Sequence, residues 1–513
     1  MHLQVNLFAK CRHDRSGATG SATQAYAIPL VNRTRWAWLG LATVLLACSP
    51  IHVPPPPSAD PSAVGRTLRR ADVIADIDTL MHTLEAVHPD LYAERPRDSV
   101  NSARQRIVAS LPPSMTRAEL WLRLAPLLAS LGDGHTSVYM PREEFARMGS
   151  SLVFPPSVVQ DEAEHLVISA PLAREAPIAR GDRIISLNGM NADSLVQAWM
   201  GEVSGESQKL RAAYVTGGFR DFLSIHSIVT PFRVETQRGD GSKRSVALEG
   251  IRRDSLLVLA SRGAAGRTVT PNFTYETLSP GVGYMNFRSM AGDPSAFGAS
   301  VTDMFRRVAA DSEQTLIIDL RSNGGGDSRL GDELLRHLTT KAYRTSAVKQ
   351  WKMSAEYRAY FKTWISAPLR WLRVWNFSSL GRQLMHGPDG KIVNLPEKET
   401  AHPAAEPFFT GNVCVLIGRL TFSSAVDLAD AIKTYKLATL VGEETGGRPN
   451  GFGEAYIFRL PKSQLAVSVS SARFVRASGD TSDHRGVVPD IAAGPSELAA
   501  STLSIQARNC SKL

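Results

Sequence analysis

The chain has 513 residues, of which 43% are apolar and 21% charged, and its formal net charge is +9. This composition is that of a folded globular protein, and the chain is too long for one hydrophobic core, so we expect roughly two to four domains. The basic excess is small for the size of the chain and no block of lysine and arginine stands out, which argues against a nucleic-acid-binding protein.

Residues 1–48 have the order of an export signal. Arg33 and Arg35 precede an apolar run from Trp36 to Ala47 that is too short to cross a bilayer comfortably. The run ends in Leu-Leu-Ala-Cys, which resembles a bacterial lipobox with Cys48 as the lipidated residue; an ordinary signal peptide with a nearby cysteine is the alternative. We therefore expect an exported protein, either periplasmic or attached to the membrane through Cys48. The proline-rich residues 49–65 then form an extended linker.

The cysteine pattern indicates neither a disulfide framework nor a metal site. Cys11 and Cys48 belong to the export segment, Cys414 lies in the apolar run VCVLIG, and Cys510 lies in a polar tail of residues 496–513. Because no CxxC or HExxH motif occurs, no zinc is expected.

Residues 66–148 are predicted to form a helical domain. Apolar residues recur at three- and four-residue steps from Val73 to Val87, which indicates a first amphipathic helix. A second helix is predicted from Asp98 to Leu111, and a third begins at a capping box of Thr116 and Glu119. The third helix leads into the segment GDGHT, which presents His135 between a glycine and a threonine.

Residues 149–256 change to short β-like runs. In PIARGDRIISLNGMNADSLVQAW, Gly181 and Asp182 turn into an apolar strand, an Asn-Gly pair makes a tight turn, and a helix follows. This order is similar to that of a PDZ module, which binds an extended peptide, often a free C-terminus, as an added edge strand. Gly181 and Asp182 are therefore candidate peptide contacts; the alternative is a β-rich spacer that binds nothing.

Strands and helices alternate over residues 275–495, which predicts an α/β sheet with helices on both faces. An irregular insertion, residues 345–410, interrupts the alternation. It contains half of the tryptophans of the chain: Trp351, Trp364, Trp371 and Trp375. These side chains pack as an ordinary core or form a lid over a site, and the sequence favours neither interpretation.

The segment RLTFSSAVDLADAIKTY places Ser423 and Ser424 where a buried strand becomes a helix. Serine is a preferred N-cap residue, so the default role of the pair is to begin the helix. A serine at a helix N-terminus also faces the positive end of the helix dipole, which suits a nucleophile. The run IIDLRSNGGG ends a strand in three glycines whose amides could approach a substrate closely, and Gly325 or Gly326 could supply an oxyanion donor.

Four motifs in this order resemble the serine peptidase family of the tail-specific (carboxyl-terminal processing) proteases and the tricorn core: IIDLRSNGGG, TFSSAVDLADAI, VGEETGGRPNGFGEAYIFRLP and HRGVVPDI. The resemblance covers roughly residues 70–495. It implies an α/β multidomain protein with an N-terminal helical domain, a PDZ-like β-rich domain and an α/β core of the crotonase-like ββα type.

The family places its nucleophile three residues before an acid at the start of the helix. Asp427 is that acid, so the resemblance selects Ser424 and leaves Ser423 as a neighbour or cap. Ala425 and Gly325 would then hold the oxyanion. The tail-specific branch uses a lysine base, but Arg448 occupies the matching place in VGEETGGR, and arginine stays protonated. Arg448 is retained as a candidate substrate contact.

The tricorn-like branch instead uses a histidine from a DGHT-type segment and an acid before the final GV-PD motif. The resemblance therefore implies His135 as base and Asp483 as orienting acid, although this branch usually has glutamate at the second position. The expected activity is hydrolysis of polypeptides by an acyl-enzyme mechanism, without metal or organic cofactor. The alternatives are a lipid- or peptide-binding protein that kept the fold and lost the reaction, and a scaffold acting through the PDZ-like module alone.

Overall fold

The computed structural model describes residues 60–145, 152–171, 177–256, 272–365, 367–495, 497, 498, 503, 511 and 512. The chain divides into two units, residues 1–49 and 50–513, and the described residues all belong to the second. The predicted export signal, Cys48 and most of the proline-rich linker lie outside the described residues. No helix in the described ranges is both long enough and apolar enough to cross a membrane.

Three helices follow the linker, as the apolar periodicity predicts. They span Arg70–Val87, Arg97–Ala109 and Arg117–Ala129. The predicted capping box is present, because the Thr116 side chain accepts from the Glu119 amide while the Glu119 carboxylate accepts from the Thr116 amide. Short strands Leu68–Arg69 and Ser114–Met115 pair antiparallel beside them, and the apolar stripes of the helices are buried in one core cluster.

The β-rich segment contains a six-stranded antiparallel sheet and three helices. The strands are Ser157–Gln160, Leu166–Ala170, Arg183–Leu187, Met190–Asn191, Phe232–Gln237 and Lys243–Leu248, and the helices are Ala192–Met200, Gln208–Gly217 and Phe219–Ile225. The predicted tight turn is present, with positive φ angles of 50° at Asn188 and 81° at Gly189. Ser157–Gln160 lies at one edge of this sheet.

A seven-stranded, mainly parallel sheet, called here the central sheet, forms the middle of the second half of the chain. Its strands are Phe273–Ser279, Val282–Phe287, Thr315–Asp319, Asn412–Ile417, Thr439–Gly442, Ile491–Ala492 and Ser511–Lys512. Buried residues alternate between its two faces, so that Ile318 and Val415 belong to one core cluster while Ile317 and Cys414 belong to another.

The prediction of helices packed on this sheet is confirmed for one face. Three helices, Pro294–Ala310, Arg329–Leu335 and Ser424–Tyr435, bury their apolar residues in the same cluster on one face. The opposite face instead packs against Ala493, Leu498 and Leu503 near the end of the chain. Leu503 is itself helical, and these C-terminal residues cover the apolar surface of this face.

A second sheet, called here the side sheet, contains five strands. They are Ile392–Pro396, Val348–Lys352, Ala466–Val475, Phe452–Arg459 and the short Ser137–Val138, which pairs with Ala466–Val475. In that last pair Ser137 lies opposite Ser468 and Val138 opposite Val467. The side sheet therefore joins the chain just after His135 to the second half of the molecule. The helices Ala355–Trp364, Ala367–Trp371 and Ser379–His386 of the insertion lie between two of its strands in sequence.

The cysteine prediction needs one correction, because Cys414 is disulfide-bonded. Its strand, Asn412–Ile417, pairs antiparallel with Ser511–Lys512, so the tail returns to the central sheet directly beside it. Spacing in the sequence did not reveal the bond because the return of the tail depends on tertiary structure.

Candidate active site

Ser423 lies in a strained turn between the strand Asn412–Ile417 and the helix Ser424–Tyr435. Its φ and ψ are 54° and −133°, a backbone conformation that residues other than glycine rarely adopt. The turn is tied to the loop after the neighbouring strand: the Phe422 amide donates to the Asn323 carbonyl at 3.0 Å and the Thr421 hydroxyl to the Leu320 carbonyl at 2.8 Å. These bonds hold the Ser423 side chain at the helix mouth.

His135 reaches this serine from 288 positions earlier in the chain. Its Nε2 lies 3.1 Å from Ser423 Oγ, and its ring stacks on Phe422 with centroids 4.6 Å apart. The turn that carries His135 is closed by Asp133, whose Oδ1 accepts from the His135 amide at 2.9 Å and whose Oδ2 accepts from the Ser470 hydroxyl at 2.6 Å. The predicted meeting of His135 with the serine pair is therefore present.

The serine that meets His135 is Ser423 and not Ser424, which corrects the expected pairing. The Ser424 hydroxyl donates to the Gly326 carbonyl at 2.7 Å and is turned to the glycine loop. The resemblance had selected Ser424 by counting three residues back from Asp427. The amide of Asp427 bonds to the Ser423 carbonyl, so Asp427 is a first-turn residue of the helix and does not mark which serine is presented.

The glycine loop, Gly324–Gly326, packs directly against the serine turn. Gly325 has a φ of +90°, and a Cβ added there would lie 2.7 Å from Ser423 Cβ and 2.9 Å from the Ser424 amide nitrogen. Only glycine permits this approach. The prediction of the oxyanion donors changes, because the Ala425 amide bonds to the Phe422 carbonyl and the Gly325 amide to Asn323 Oδ1 at 2.9 Å.

With Ser423 as the presented residue, the amide that follows it is that of Ser424. As the first residue of its helix, Ser424 has no intrahelical carbonyl to bond. Within the described residues neither this amide nor that of Gly326 donates a hydrogen bond, so both could donate to a substrate oxygen. Gly326 has a φ of +137°, and its carbonyl is fixed by the Ser424 hydroxyl.

A cavity of about 400 Å³ opens in front of these groups. Of the predicted site residues, His135, Ser424, Gly325, Gly326 and Arg448 line it, together with Ser423. Gly181 and Asp182 are not among its lining residues: the Asp182 carboxylate accepts from the Ala179 amide at 2.8 Å and closes a turn in the β-rich segment.

Asp483, the expected orienting acid, makes its contacts elsewhere. Its carboxylate accepts from Arg476 Nη1 at 2.7 Å and from Arg485 Nε at 3.2 Å. The Arg485 amide and the two guanidinium groups lower its pKa. The motif that contains it has a structural role instead, since the Val487 amide donates to Thr445 Oγ1 at 2.7 Å and so holds the loop that precedes Arg448.

Two other carboxylates, Asp133 and Glu206, lie beside His135. One ligand atom from each of the three side chains lies within 4.8 Å of the others, and in the described part of the chain no other group of three such residues is close enough to share a metal ion. Asp133 Oδ1 is 3.9 Å from His135 Nδ1. Its two oxygens already accept from the His135 amide, His88, Thr136 and Ser470.

Glu206, in contrast to Asp133, has one carboxylate oxygen without a hydrogen bond. Its Oε1 accepts from the Gly134 amide at 3.2 Å, whereas its Oε2 is buried without a hydrogen-bond donor. His135 Nδ1 is likewise buried without a partner. One carboxylate oxygen of Glu206 and one ring nitrogen of His135 lie within 4.8 Å of each other, a separation that a small movement or one bridging water would close.

Burial sets the protonation of the three groups. It lowers the pKa of His135, an effect that the nearby Asp133 charge opposes. Burial and then the Asp133 charge raise the pKa of Glu206 to about 8. Burial alone would raise the pKa of Asp133, but its bond to His88, the charge of that ring and other neighbours hold it below its ordinary value. His135 is thus neutral at neutral pH and able to accept a proton at Nε2.

Arg448 lies on the cavity wall beside these carboxylates. It donates from Nη1 to Glu94 Oε1 at 2.9 Å and from Nη2 to the Glu206 carbonyl at 3.0 Å. These bonds fix Arg448 against the segment that carries Glu206.

A sequence comparison with family models matches residues 281–493 to Peptidase family S41. Comparison with curated proteins finds no significant match.

Among solved structures, mature CPAF is similar at 16% identity, with 86% of this chain and 96% of that chain covered and a TM-score of 0.60. CPAF complexed with lactacystin gives 15% identity, 86% and 99% coverage and the same TM-score of 0.60. The photosystem II D1 C-terminal processing protease gives 19% identity, 85% and 97% coverage and a TM-score of 0.41.

At these identities the CPAF structures establish a shared fold. The family match covers the glycine loop, both serines and the GV-PD motif, which are the motifs on which the resemblance was based. The domain of residues 281–493 therefore matches Peptidase family S41, a family of serine peptidases.

Proposed function

We propose that this protein is an exported serine endopeptidase in which Ser423 is the nucleophile and His135 the general base. The observation that carries the proposal is the 3.1 Å contact between His135 Nε2 and Ser423 Oγ at the mouth of a helix. A binding protein that had lost the reaction would have no need of this contact, of the strained backbone at Ser423 or of a glycine loop packed against it.

The reaction follows the acyl-enzyme route. His135 Nε2 takes the Ser423 proton as Oγ attacks the carbonyl carbon of the substrate, and the Ser424 and Gly326 amides stabilise the negative oxygen. His135 then gives its proton to the leaving amine, whose bond to the carbonyl carbon breaks. Water, deprotonated by the same nitrogen, releases the acyl group from Ser423.

We assign the positioning of His135 to Glu206 in place of Asp483. An ionised Glu206 would accept from Nδ1–H, which keeps the proton of the neutral ring on Nδ1 and leaves Nε2 free to act as base. Asp133 supports the same turn from the opposite side, since it accepts from the His135 amide.

We further infer that the front helices and the β-rich segment are the helical and PDZ-like domains. The inference is supported by the edge strand Ser157–Gln160 and by the helix Gln208–Gly217, which contacts it. An extended substrate could add to that edge by backbone hydrogen bonds, with its C-terminus as one form of ligand. Glu206, at the start of this helical region, would link that domain to the reaction centre.

Export is supported by the disulfide at Cys414, since such bonds persist in oxidising compartments. Attachment through a lipidated Cys48 stays a prediction, and fatty-acid labelling of the chain with a Cys48→Ser control tests it directly.

The direct test of the activity is labelling with a fluorophosphonate followed by mass spectrometry of the peptides. We expect one adduct, on Ser423, together with hydrolysis of an unfolded polypeptide that the probe abolishes. Labelling on Ser424 would reverse the assignment of the nucleophile. A protein that neither reacts with the probe nor hydrolyses polypeptide would contradict the proposed function.

The glycine loop supplies a separate prediction. Gly325→Ala requires a side chain at a positive φ and 2.7 Å from Ser423 Cβ, so the serine turn and the oxyanion donors must shift. We expect turnover to fall by about 100-fold to 1000-fold, the cost of one lost oxyanion donor. Gly324→Ala is the matched control, because a Cβ there meets nothing within 4 Å. Equal turnover in the two variants would contradict this role for the loop.

A further inference from the structure

One part of the insertion is unusually basic and aromatic. Residues 357–388, called here the tryptophan segment, contain five lysines and arginines and no aspartate or glutamate. The basic residues are Arg358, Lys362, Arg370, Arg373 and Arg382. The same 32 positions contain three tryptophans and two phenylalanines.

The structure exposes the apolar side chains of this segment at one turn. Between the helix Ala367–Trp371 and the short helix Val374–Phe377, Trp371 is 82% exposed, Leu372 52% and Phe377 75%. These are the three most exposed large apolar residues in the described part of the chain. Large apolar side chains that are exposed together usually mark a surface that binds a partner. Their exposure also shows that this turn belongs neither to the core nor to the wall of a cavity.

The basic residues around this turn are available for a partner. Arg370 and Arg373 are exposed, and neither is in an ion pair with the residues that the structure describes. Arg382 donates to the Asn376 carbonyl, which holds it beside the same turn. Arg358 lies further away and pairs with Asp389.

We propose that the turn from Arg370 to Phe377 docks on the surface of a bilayer that contains anionic phospholipid. Exposed tryptophan, leucine and phenylalanine between arginines are the composition of segments that lie in the interface of a membrane. Positive charge without neighbouring acids matches an anionic lipid surface, where each basic residue contributes about 1 kcal/mol of attraction. An acidic protein surface would pair with the arginines but would not account for the indole of Trp371, which is 82% exposed.

A membrane-binding turn would complement the lipid anchor predicted at Cys48. A single acyl chain binds a membrane only marginally, and stable attachment takes a second contact. If Cys48 is lipidated, the turn would supply that second contact. The proposal does not depend on peptidase activity.

The test uses the full chain with Cys48→Ser in every sample, so that no acyl anchor contributes. Binding is measured to vesicles of phosphatidylethanolamine and phosphatidylglycerol, and to phosphatidylcholine vesicles, each carrying brominated chains that quench inserted tryptophan. We expect binding to the anionic vesicles, with quenching that disappears in Trp371→Phe. Arg370→Gln with Arg373→Gln should weaken binding roughly 30-fold, as the loss of two charges near the surface predicts.

Val229→Ser is the control variant, because Val229 is an exposed apolar residue, 41% accessible, in the β-rich segment and outside both the turn and the edge strand. Equal binding to both kinds of vesicle, or quenching unchanged in Trp371→Phe, would overturn the proposal. A third result would also overturn it: the variant with Arg370→Gln and Arg373→Gln binds vesicles normally but no longer hydrolyses a soluble peptide. That result would make the turn a lid of the active site.

Discussion

Ser423→Ala is expected to abolish peptide hydrolysis and fluorophosphonate labelling, with turnover lower by about six orders of magnitude. The reason is the loss of the one hydroxyl that contacts His135. The fold should persist, because no hydrogen bond from the Ser423 side chain to another part of the protein is recorded in the described residues apart from that contact. Steady-state kinetics on an unfolded polypeptide and thermal unfolding measure the two effects separately.

Ser424→Ala is the matched control at the adjacent position. It removes the bond to the Gly326 carbonyl, which costs about 1 kcal/mol of stability and loosens one side of the oxyanion site. We expect this variant to keep covalent labelling and to lose far less turnover than Ser423→Ala. If the two variants were equally inactive and equally unlabelled, the assignment of Ser423 would have to be abandoned.

Glu206→Gln is expected to lower turnover by as much as about 10⁴-fold, as the loss of a histidine-orienting carboxylate does in serine proteases. The glutamine oxygen can still accept from the Gly134 amide, so the turn stays closed. Its amide would donate to His135 Nδ1, which places the ring proton on Nε2 and removes the base. Glu202→Gln, in a partly buried pair with His226, is a control of the same chemistry away from the site.

The pH dependence distinguishes this role from a purely structural one. The wild-type rate should rise as His135 loses its proton and rise again towards pH 8 as Glu206 ionises, and the second rise should be absent in Glu206→Gln. A second rise that survives in the glutamine variant would exclude Glu206 as the positioning residue.

The contribution of Glu206 to the free energy of unfolding should fall with rising pH, whereas its contribution to the rate should rise. The folded protein holds the Glu206 proton more tightly than the unfolded chain, since burial raises this pKa from 4.5 to about 8. The contribution of Glu206 to stability is therefore largest at acid pH and is lost as pH rises between those two values. Above pH 8, Glu206→Gln should unfold at a higher temperature than the wild type although it is less active.

Local pattern was enough to predict much of the fold. The capping box, the apolar stripe from Val73 to Val87 and the Asn-Gly turn each depend on neighbouring residues, and each is present in the structure. The ordered motifs also indicated the family whose model matches residues 281–493, and that resemblance implied that His135 meets the serine pair. The packing of the C-terminal residues on the second face of the central sheet and the disulfide at Cys414 depend on how the C-terminal tail returns, which no local pattern contains.

The site was predicted less well where the choice was between neighbours. Ser423 and Ser424 have the same chemistry, and only the positive φ of Ser423 decides which hydroxyl faces the imidazole. Asp483 was chosen by its distance from a motif, but two arginines bind its carboxylate. No sequence pattern indicated a role for Glu206, since a lone glutamate after a glycine is usually a surface residue. Its role became visible only from its hydrogen bond with the Gly134 amide, in the turn that carries His135.

The pairing of Ser137–Val138 with Ala466–Val475 also governs the order in which the molecule becomes competent. The base is made early in translation and the nucleophile late, and the strand that receives the segment after His135 is made later still. A nascent or truncated chain that stops before Ala466 therefore lacks the strand that pairs with the segment after His135. We expect such a chain to hydrolyse no polypeptide, although it contains both His135 and Ser423.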